Sequence, residues 1–174
     1  MKVSANSLEA QPVFSEIYTV LASYLGQPDN VKLFISRKKL NLDAFIFTIE
    51  QLMERLIIIR ILEDTELVPN LILKRLLEKH SLAAKQQEHI WDDLLDLFLD
   101  LRQSELTANN QSEIWSLSGV DELHVNNGVA RSLINNLYKL DFSNGFAITG
   151  ILESWIADMS KSFRQGLEGS FSKK

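Results

Sequence analysis

The stretch "EQLMERLIIIRILEDTEL", Glu50 to Leu67, holds an apolar run, Leu56 to Leu62, that is interrupted only by Arg60 and is followed by acidic residues. Apolar residues that recur every three or four positions are typical of a helix packed against other protein. This stretch is the most apolar one with that period, so it predicts the central helix of an all-helical protein. Arg60, Glu63 and Asp64 have two interpretations, a catalytic constellation or the polar clasp of a buried helix.

A helical wheel at about 100 degrees per residue separates the two interpretations. One side of the helix is apolar and carries Phe45, Ile49, Leu52, Met53 and Leu56. The opposite side is polar and carries Glu50, Gln51, Glu54 and Arg55. Arg60, Glu63 and Asp64 fall on the apolar side, and acids at i+3 and i+4 can reach an arginine that would be costly to bury unpaired. We therefore favour a structural clasp, with contact to a phosphate or to a partner's carboxylate as the alternative.

The other helices are separated by three prolines and seven glycines. The first follows Pro12 and stops at Gly26, because proline suits a first helical turn and glycine a helix end. Further helices are predicted at about 43–65, 69–80, 85–104, 127–140 and 146–163. Residues 31–40 fit either a helical turn or an extended connector, and 105–119 reads as a loop anchored by Ile114, Trp115 and Leu117. We expect an all-α single domain, a helical bundle or orthogonal array of about five to six helices, with frayed ends at about 1–10 and 165–174.

The composition narrows the classes of protein to consider. A chain of 174 residues that is 45% hydrophobic suits one core better than two. The lack of cysteine excludes disulfides, thiolate metal sites and cysteine nucleophiles. No apolar run exceeds four residues, whereas a bilayer span needs about 20. With no secretory leader recognised, we expect a cytoplasmic protein without membrane contact.

An acidic stripe is predicted on the fourth helix, where Glu88, Asp92, Asp96 and Asp100 are spaced by four. Like charges at this spacing destabilise a helix by a few tenths of a kcal/mol each, so the stripe suggests docking to a basic partner or a metal site. Carboxylate bundles that hold two metals place a glutamate and a histidine three residues apart on two helices, and the sequence lacks that arrangement. We interpret the stripe as a solvated acidic face and expect no metal and no cofactor.

A basic cluster comprises Lys32, Arg37, Lys38 and Lys39. These charges suit salt-dependent contact with phosphates, or they form an ordinary solvated surface. The net charge of −5 gives the whole chain no electrostatic reason to approach nucleic acid. The sequence contains no glycine-rich phosphate loop, nucleophile elbow or paired metal histidines, so no catalytic residue is proposed. The "NNG" at Asn126 to Gly128 reads as a turn into a helix.

Two stretches resemble a known family. "LDAFIFTIEQLMERLIIIRILEDTEL", Leu42 to Leu67, is similar to a helix of fused type II restriction–modification enzymes and related large adenine methyltransferases that reads "RLLFLRFLEDRG". The matching positions are Arg55, Leu56, Ile57, Arg60, Leu62, Glu63 and Asp64. "VDELHVNNGVARSLINNLYKLDFS", Val120 to Ser143, resembles that family's acidic turn and helix leading to "LYxFDFS".

The resemblance covers about half of the chain and implies a helical region beside a methyltransferase core, which connects nuclease and modification modules and helps hold DNA. After Asp141 to Ser143 the family shows "LGxIYE", whereas this chain has "ITGILESWIA" with the glycine and glutamate one residue closer. The family's methyl-donor loop, "NPPY" motif and nuclease acid cluster have no counterpart in the sequence.

Three functions are therefore to be compared. The first is a non-catalytic scaffold or connector that binds a partner protein and the DNA backbone. The second is a free-standing helical adaptor or regulator unrelated to DNA, for which a homo-oligomer built through the same surface fits equally well. The third and weakest is a carboxylate metal enzyme on the fourth helix.

Overall fold

The computed structural model describes residues 2–31, 42–68, 71–82, 89–104, 119–145 and 149–172. Within these ranges the longer helices are α1 (Gln11–Leu25), α2 (Leu42–Asp64), α3 (Ile72–Leu82), α4 (Ile90–Arg102), α5 (Asn127–Leu137) and α6 (Thr149–Ser172). Two strands of two residues each, β1 (Val3–Ser4) and β2 (Leu140–Asp141), pair in parallel with Val3 opposite Leu140. The prediction of an all-α fold is confirmed.

Helix α2 lies in the core and is buried on nearly every side. Sixteen of its 23 residues are buried, more than the single stripe that an ordinary surface helix buries. The wheel's division into an apolar and a polar side was wrong at Gln51 and Arg55, whose exposed fractions are 4% and 0%. The reason is that a short 3₁₀ helix, Gly119–Glu122, packs against α2 and brings a carboxylate to Arg55.

Local sequence signals predicted some helix ends correctly and others incorrectly. Helix α1 ends before Gly26, and its Pro12 lies in the first turn, as predicted. Helix α4 begins at Ile90 and not near 85, because His89 has non-helical backbone angles, φ −122° and ψ 60°. The predicted turn into α5 is confirmed, since the Asn126 side chain accepts a hydrogen bond from the Val129 backbone N–H at 2.8 Å.

Helix α6 packs against α1 and α2 and continues to Ser172, beyond the end predicted at Phe163. Its Trp155 ring lies 5.8 Å from the Phe14 ring of α1, and its Ser160 hydroxyl is 2.7 Å from the Tyr18 hydroxyl. An aromatic contact and a hydrogen bond therefore join α1 to α6.

Several predictions concern residues outside the described ranges. They include most of the segment 31–40 and the loop 105–118 with Ile114, Trp115 and Leu117. Fraying at about 1–10 and 165–174 stays a prediction, although β1 pairs within the first range and α6 extends into the second. No helix in the described part of the chain has the length and apolar character needed to cross a membrane.

Candidate functional site

Arg60 lies in the second half of α2, and its side chain is fully buried. Its Nη1 donates to Glu63 Oε2 at 3.0 Å and to Asp64 Oδ1 at 2.9 Å. Its Nη2 donates to Asp64 Oδ2 at 2.8 Å and to the Leu140 carbonyl oxygen at 3.1 Å, and its Nε donates to the Leu137 carbonyl oxygen at 3.4 Å. A guanidinium has five N–H groups, so every one has an acceptor inside the protein. The structure thus brings together the three residues that the sequence singled out.

Glu63 connects this cluster to two other elements. Its carboxylate accepts from the Tyr138 hydroxyl, with Oε2 at 2.8 Å and Oε1 at 3.0 Å, and Oε1 also accepts from the Leu73 backbone N–H at 3.2 Å. The pKa of Glu63 is raised overall, because burial outweighs the hydrogen bonds from Tyr138 and Leu73 and the charge of Arg60, which lower it; the neighbouring Asp64 charge raises it further. The carboxylate therefore depends on these partners to carry its charge in the core.

Tyr138, just after α5, was not among the residues predicted from the sequence. Its hydroxyl accepts from the Lys74 backbone N–H at 2.9 Å while it donates to Glu63. Burial and then the neighbouring Glu63 raise the pKa of Tyr138, so the phenol keeps the proton that it donates. The Arg60 guanidinium carbon lies 4.4 Å from the centre of the Tyr138 ring, a cation–π distance.

Asp64 extends the same network to β2. Besides the two bonds from Arg60, its Oδ2 accepts from the Phe142 backbone N–H at 2.8 Å. The Phe142 ring centre lies 5.5 Å from the Arg60 guanidinium carbon. We call the set formed by Arg60, Glu63, Asp64 and Tyr138 the Arg60 network. It joins the end of α2 to the start of α3 and to residues 137–142. Its hydrogen bonds and ion pairs can fix the positions of these segments relative to one another.

A second buried arginine lies on the other side of α2. Arg55 Nη1 is 3.2 Å from Asp121 Oδ1, and the Arg102 Nη2 of α4 is 3.0 Å from the same oxygen. The Arg55 guanidinium carbon also lies 5.2 Å from the centre of the Phe98 ring. Burial lowers the pKa of Arg55, and the hydrogen bond and charge of Asp121 oppose that shift. We call Arg55, Asp121 and Arg102 the Arg55 cluster.

Sequence reasoning missed the Arg55 cluster because its members come from three elements. Arg55 lies in the stretch Leu42–Leu67 and Asp121 in the stretch Val120–Ser143, which the sequence analysis grouped without pairing individual residues. The spacing between them, 66 residues, carries no periodic pattern that could pair them in advance. Arg55 and Asp121 meet because the 3₁₀ helix Gly119–Glu122 packs on α2.

The other predicted site residues are placed as follows. Asp92, Asp96 and Asp100 are exposed on α4, and Glu88 lies outside the described residues. His89 Nδ1 is 3.4 Å from Asp92 Oδ2 at the start of that helix. The basic cluster of Lys32, Arg37, Lys38 and Lys39 also lies outside the described residues. In the described part of the chain, no three histidine or acidic side chains are grouped to hold a metal ion.

Comparisons of the chain with models of protein families, with curated proteins and with solved structures found no match. The two stretches with the resemblance nevertheless meet in the fold. The first stretch supplies Arg55, Arg60, Glu63 and Asp64, and the second supplies their partners Asp121, Leu137, Tyr138, Leu140 and Phe142. Polar contacts thus link the stretch Leu42–Leu67 to the stretch Val120–Ser143.

Proposed function

We propose that this chain is a helical scaffold of the connector type found in restriction–modification enzymes, which holds a partner module and contacts the DNA backbone. The observation that supports the proposal is the junction of its two resembling stretches through the Arg60 network. Amphipathic helices resemble one another easily, but helix periodicity alone does not require a buried arginine, two acids and a tyrosine to meet.

A connector must keep its attached modules at a fixed distance and angle. In this proposal a buried ion-pair network serves that task by fixing the register of the segments it joins, a role that such networks have in some proteins even where an apolar replacement is equally stable. The Arg60 network ties α2 to segments 77 to 80 residues further along the chain. Since every Arg60 donor is used internally, a partner would bind other surfaces of the domain.

The rival function, an adaptor that binds through an exposed apolar stripe, has weaker support. In the described residues the large exposed apolar side chains are Leu8, Phe47, Leu67, Leu99 and Ile151. They belong to the short 3₁₀ helix Leu8–Ala10, to α2, to the loop after α2, to α4 and to α6. No single helix face carries more than one of them, and an individual exposed apolar residue is normal for a protein surface.

The DNA contact is tested by fluorescence anisotropy with a labelled duplex over a range of salt concentrations. We expect salt-dependent binding by the wild-type chain, and a loss when Arg37, Lys38 and Lys39 are replaced with alanine. Each phosphate contact removed should make the slope of log K against log salt shallower by about 0.9. A matched control removes three exposed lysines, Lys74, Lys139 and Lys161. No binding by the wild type, or an equal loss in the control, contradicts the DNA part of the proposal.

The partner is tested separately by co-expression with the adenine methyltransferase or nuclease encoded nearest to this chain. We expect a complex of defined stoichiometry in size-exclusion chromatography with light scattering. A chain that only forms homo-oligomers in this experiment would favour the adaptor function instead.

A further inference from the structure

The sequence contains two Asn-Gly pairs, Asn127–Gly128 and Asn144–Gly145, which lie in different surroundings in the fold. The asparagine of such a pair can lose its side-chain amide, because the backbone nitrogen of the next residue can attack the side-chain carbonyl carbon. Glycine favours this attack, since it has no Cβ to hinder the approach and its backbone rotates freely. The two pairs offer the same chemistry, so their surroundings decide which one reacts.

The first pair is held at the beginning of a helix. Asn127 is the first residue of α5 and is partly buried, and its Oδ1 accepts a hydrogen bond from the Ile90 backbone N–H at 3.1 Å. The preceding Asn126 caps the same helix end through its bond from the Val129 N–H. Attack by the Gly128 nitrogen therefore requires the amino-terminal end of α5 to open.

The second pair lies in an exposed turn after β2. Within the described residues the Asn144 side chain makes one hydrogen bond, from Nδ2 to Ser4 Oγ at 3.3 Å, which is longer than the usual range. The turn is closed by the Gly145 N–H, which donates to the Phe142 carbonyl at 2.9 Å. Only this backbone bond must open to free the Gly145 nitrogen, and exposed turns open at little cost in free energy.

We propose that Asn144 is a site of spontaneous modification, at which deamidation through a succinimide gives isoaspartate or aspartate, whereas Asn127 keeps its amide. The deprotonated Gly145 nitrogen bonds to Asn144 Cγ, and the side-chain amide takes up a proton from water and leaves as ammonia. Water then opens the ring. Hydrolysis at the main-chain carbonyl gives isoaspartate, and hydrolysis at the side-chain carbonyl gives aspartate. The site lies outside the Arg60 network and does not depend on the proposed scaffold function.

Either product changes the contact between this turn and β1. Ser4 Oγ donates its hydrogen to Asn6 Oδ1 at 2.6 Å, so it can only accept from the Asn144 amide. A carboxylate at this position has no hydrogen to donate, and it adds a negative charge three residues after Asp141. Isoaspartate also lengthens the backbone of the turn. We therefore expect modification to loosen β1 from β2, to an extent that increases with the age of the chain.

Peptide mapping by mass spectrometry of the incubated full chain tests the proposal. The peptide with Asn144 should exchange –NH2 for –OH at least about fivefold faster than the peptide with Asn127, because one further hydrogen bond must break at Asn127. The rate should rise with pH, since the nucleophile is a deprotonated nitrogen, and both isoaspartate and aspartate should appear. Equal rates at the two sites, or aspartate alone, would overturn the proposal.

The same measurement in urea shows whether the fold causes the difference. Without their folded surroundings the two Asn-Gly pairs should convert at similar rates. A ratio in urea as large as that in the folded protein would mean that the neighbouring sequence decides, and it would contradict the protection assigned to Asn127.

Variants of exposed residues separate the reaction from its effect on β1. Asn144→Gln keeps an amide but would need a larger ring, so conversion at this position should stop, whereas Asn135→Gln on α5 should leave it unchanged. Asn144→Asp reproduces one product. Exchange of the Ala5 amide hydrogen, which bonds to the Asp141 carbonyl, should then be about fivefold faster, as expected for one lost hydrogen bond. Asn135→Asp adds the same charge elsewhere, and equal Ala5 exchange in the two aspartate variants would refute the effect on β1.

Discussion

Arg60 and Asp64 form a two-point ion pair across one turn of α2, with Nη1–Oδ1 at 2.9 Å and Nη2–Oδ2 at 2.8 Å. Parallel bonds of this kind are the strongest form of arginine–carboxylate contact. Because Asp64 Oδ2 also accepts from the Phe142 backbone N–H, a local pair within one helix becomes a fixed contact to a segment 78 residues away. The pair thus links α2, a helix predicted from the sequence, to the backbone at Phe142.

Asp121→Asn is expected to destabilise the fold through the Arg55 cluster. The substitution keeps the size of the side chain but removes the negative charge shared by the fully buried Arg55 and the partly exposed Arg102. We expect a loss of about 2–4 kcal/mol in the free energy of unfolding, measured by urea denaturation. Asp96→Asn on the exposed face of α4 is the control and should stay within about 0.5 kcal/mol of wild type. Equal values for the two variants would mean that the cluster adds no stability.

Tyr138→Phe removes one hydroxyl while the ring over Arg60 stays in place. Glu63 then loses a donor and the Lys74 backbone N–H loses its acceptor. We expect the melting temperature to fall, with a cost of about 1–3 kcal/mol at the midpoint. Tyr24→Phe provides the comparison, since the Tyr24 hydroxyl makes no hydrogen bond within the described residues. If the Tyr138→Phe and Tyr24→Phe proteins had the same melting temperature, the hydrogen bonds of the Tyr138 hydroxyl would have no role in stability.

Glu66→Gly is expected to stabilise the protein. Helix α2 ends in a Schellman motif, in which the Glu66 N–H donates to the Glu63 carbonyl at 3.1 Å and the Leu67 N–H to the Leu62 carbonyl at 2.9 Å. Glu66 has φ 63°, the left-handed conformation that favours glycine.

We expect Glu66→Gly to raise the free energy of unfolding by about 0.5–1 kcal/mol. Glu16→Gly, in the interior of α1, should lower it by about 1 kcal/mol because glycine is a poor helix former. Chemical denaturation of the two variants should therefore show opposite signs. A loss of stability on Glu66→Gly would contradict the strain assigned to this position.

The features predictable from sequence were those fixed by short-range signals. Pro12 and Gly26 mark the ends of α1 because their backbone restrictions act within one or two residues. The pairing of Arg60 with Glu63 and Asp64 was predictable because positions three and four apart share a helix face.

The remaining features depend on contacts between distant segments. Arg55 was assigned to the polar side of α2, but it is buried because Asp121, 66 residues later, neutralises it. Tyr138 and Phe142 complete the Arg60 network from a segment with no periodic relation to α2. No local pattern specifies such pairings, since the packing of whole helices brings the groups together. The resemblance grouped the two stretches, but it did not indicate which residues touch.

The central claim is that Arg60 holds α2 to the segments packed around its end. The most direct measurement is the free energy of unfolding of Arg60→Ala, with Arg75→Ala on the exposed face of α3 as the matched control. Glu63 would remain fully buried and Asp64 largely buried without their cation, so we expect a loss of about 3–5 kcal/mol for Arg60→Ala and a negligible change for the control. A value for Arg60→Ala within about 0.5 kcal/mol of wild type would contradict the claim.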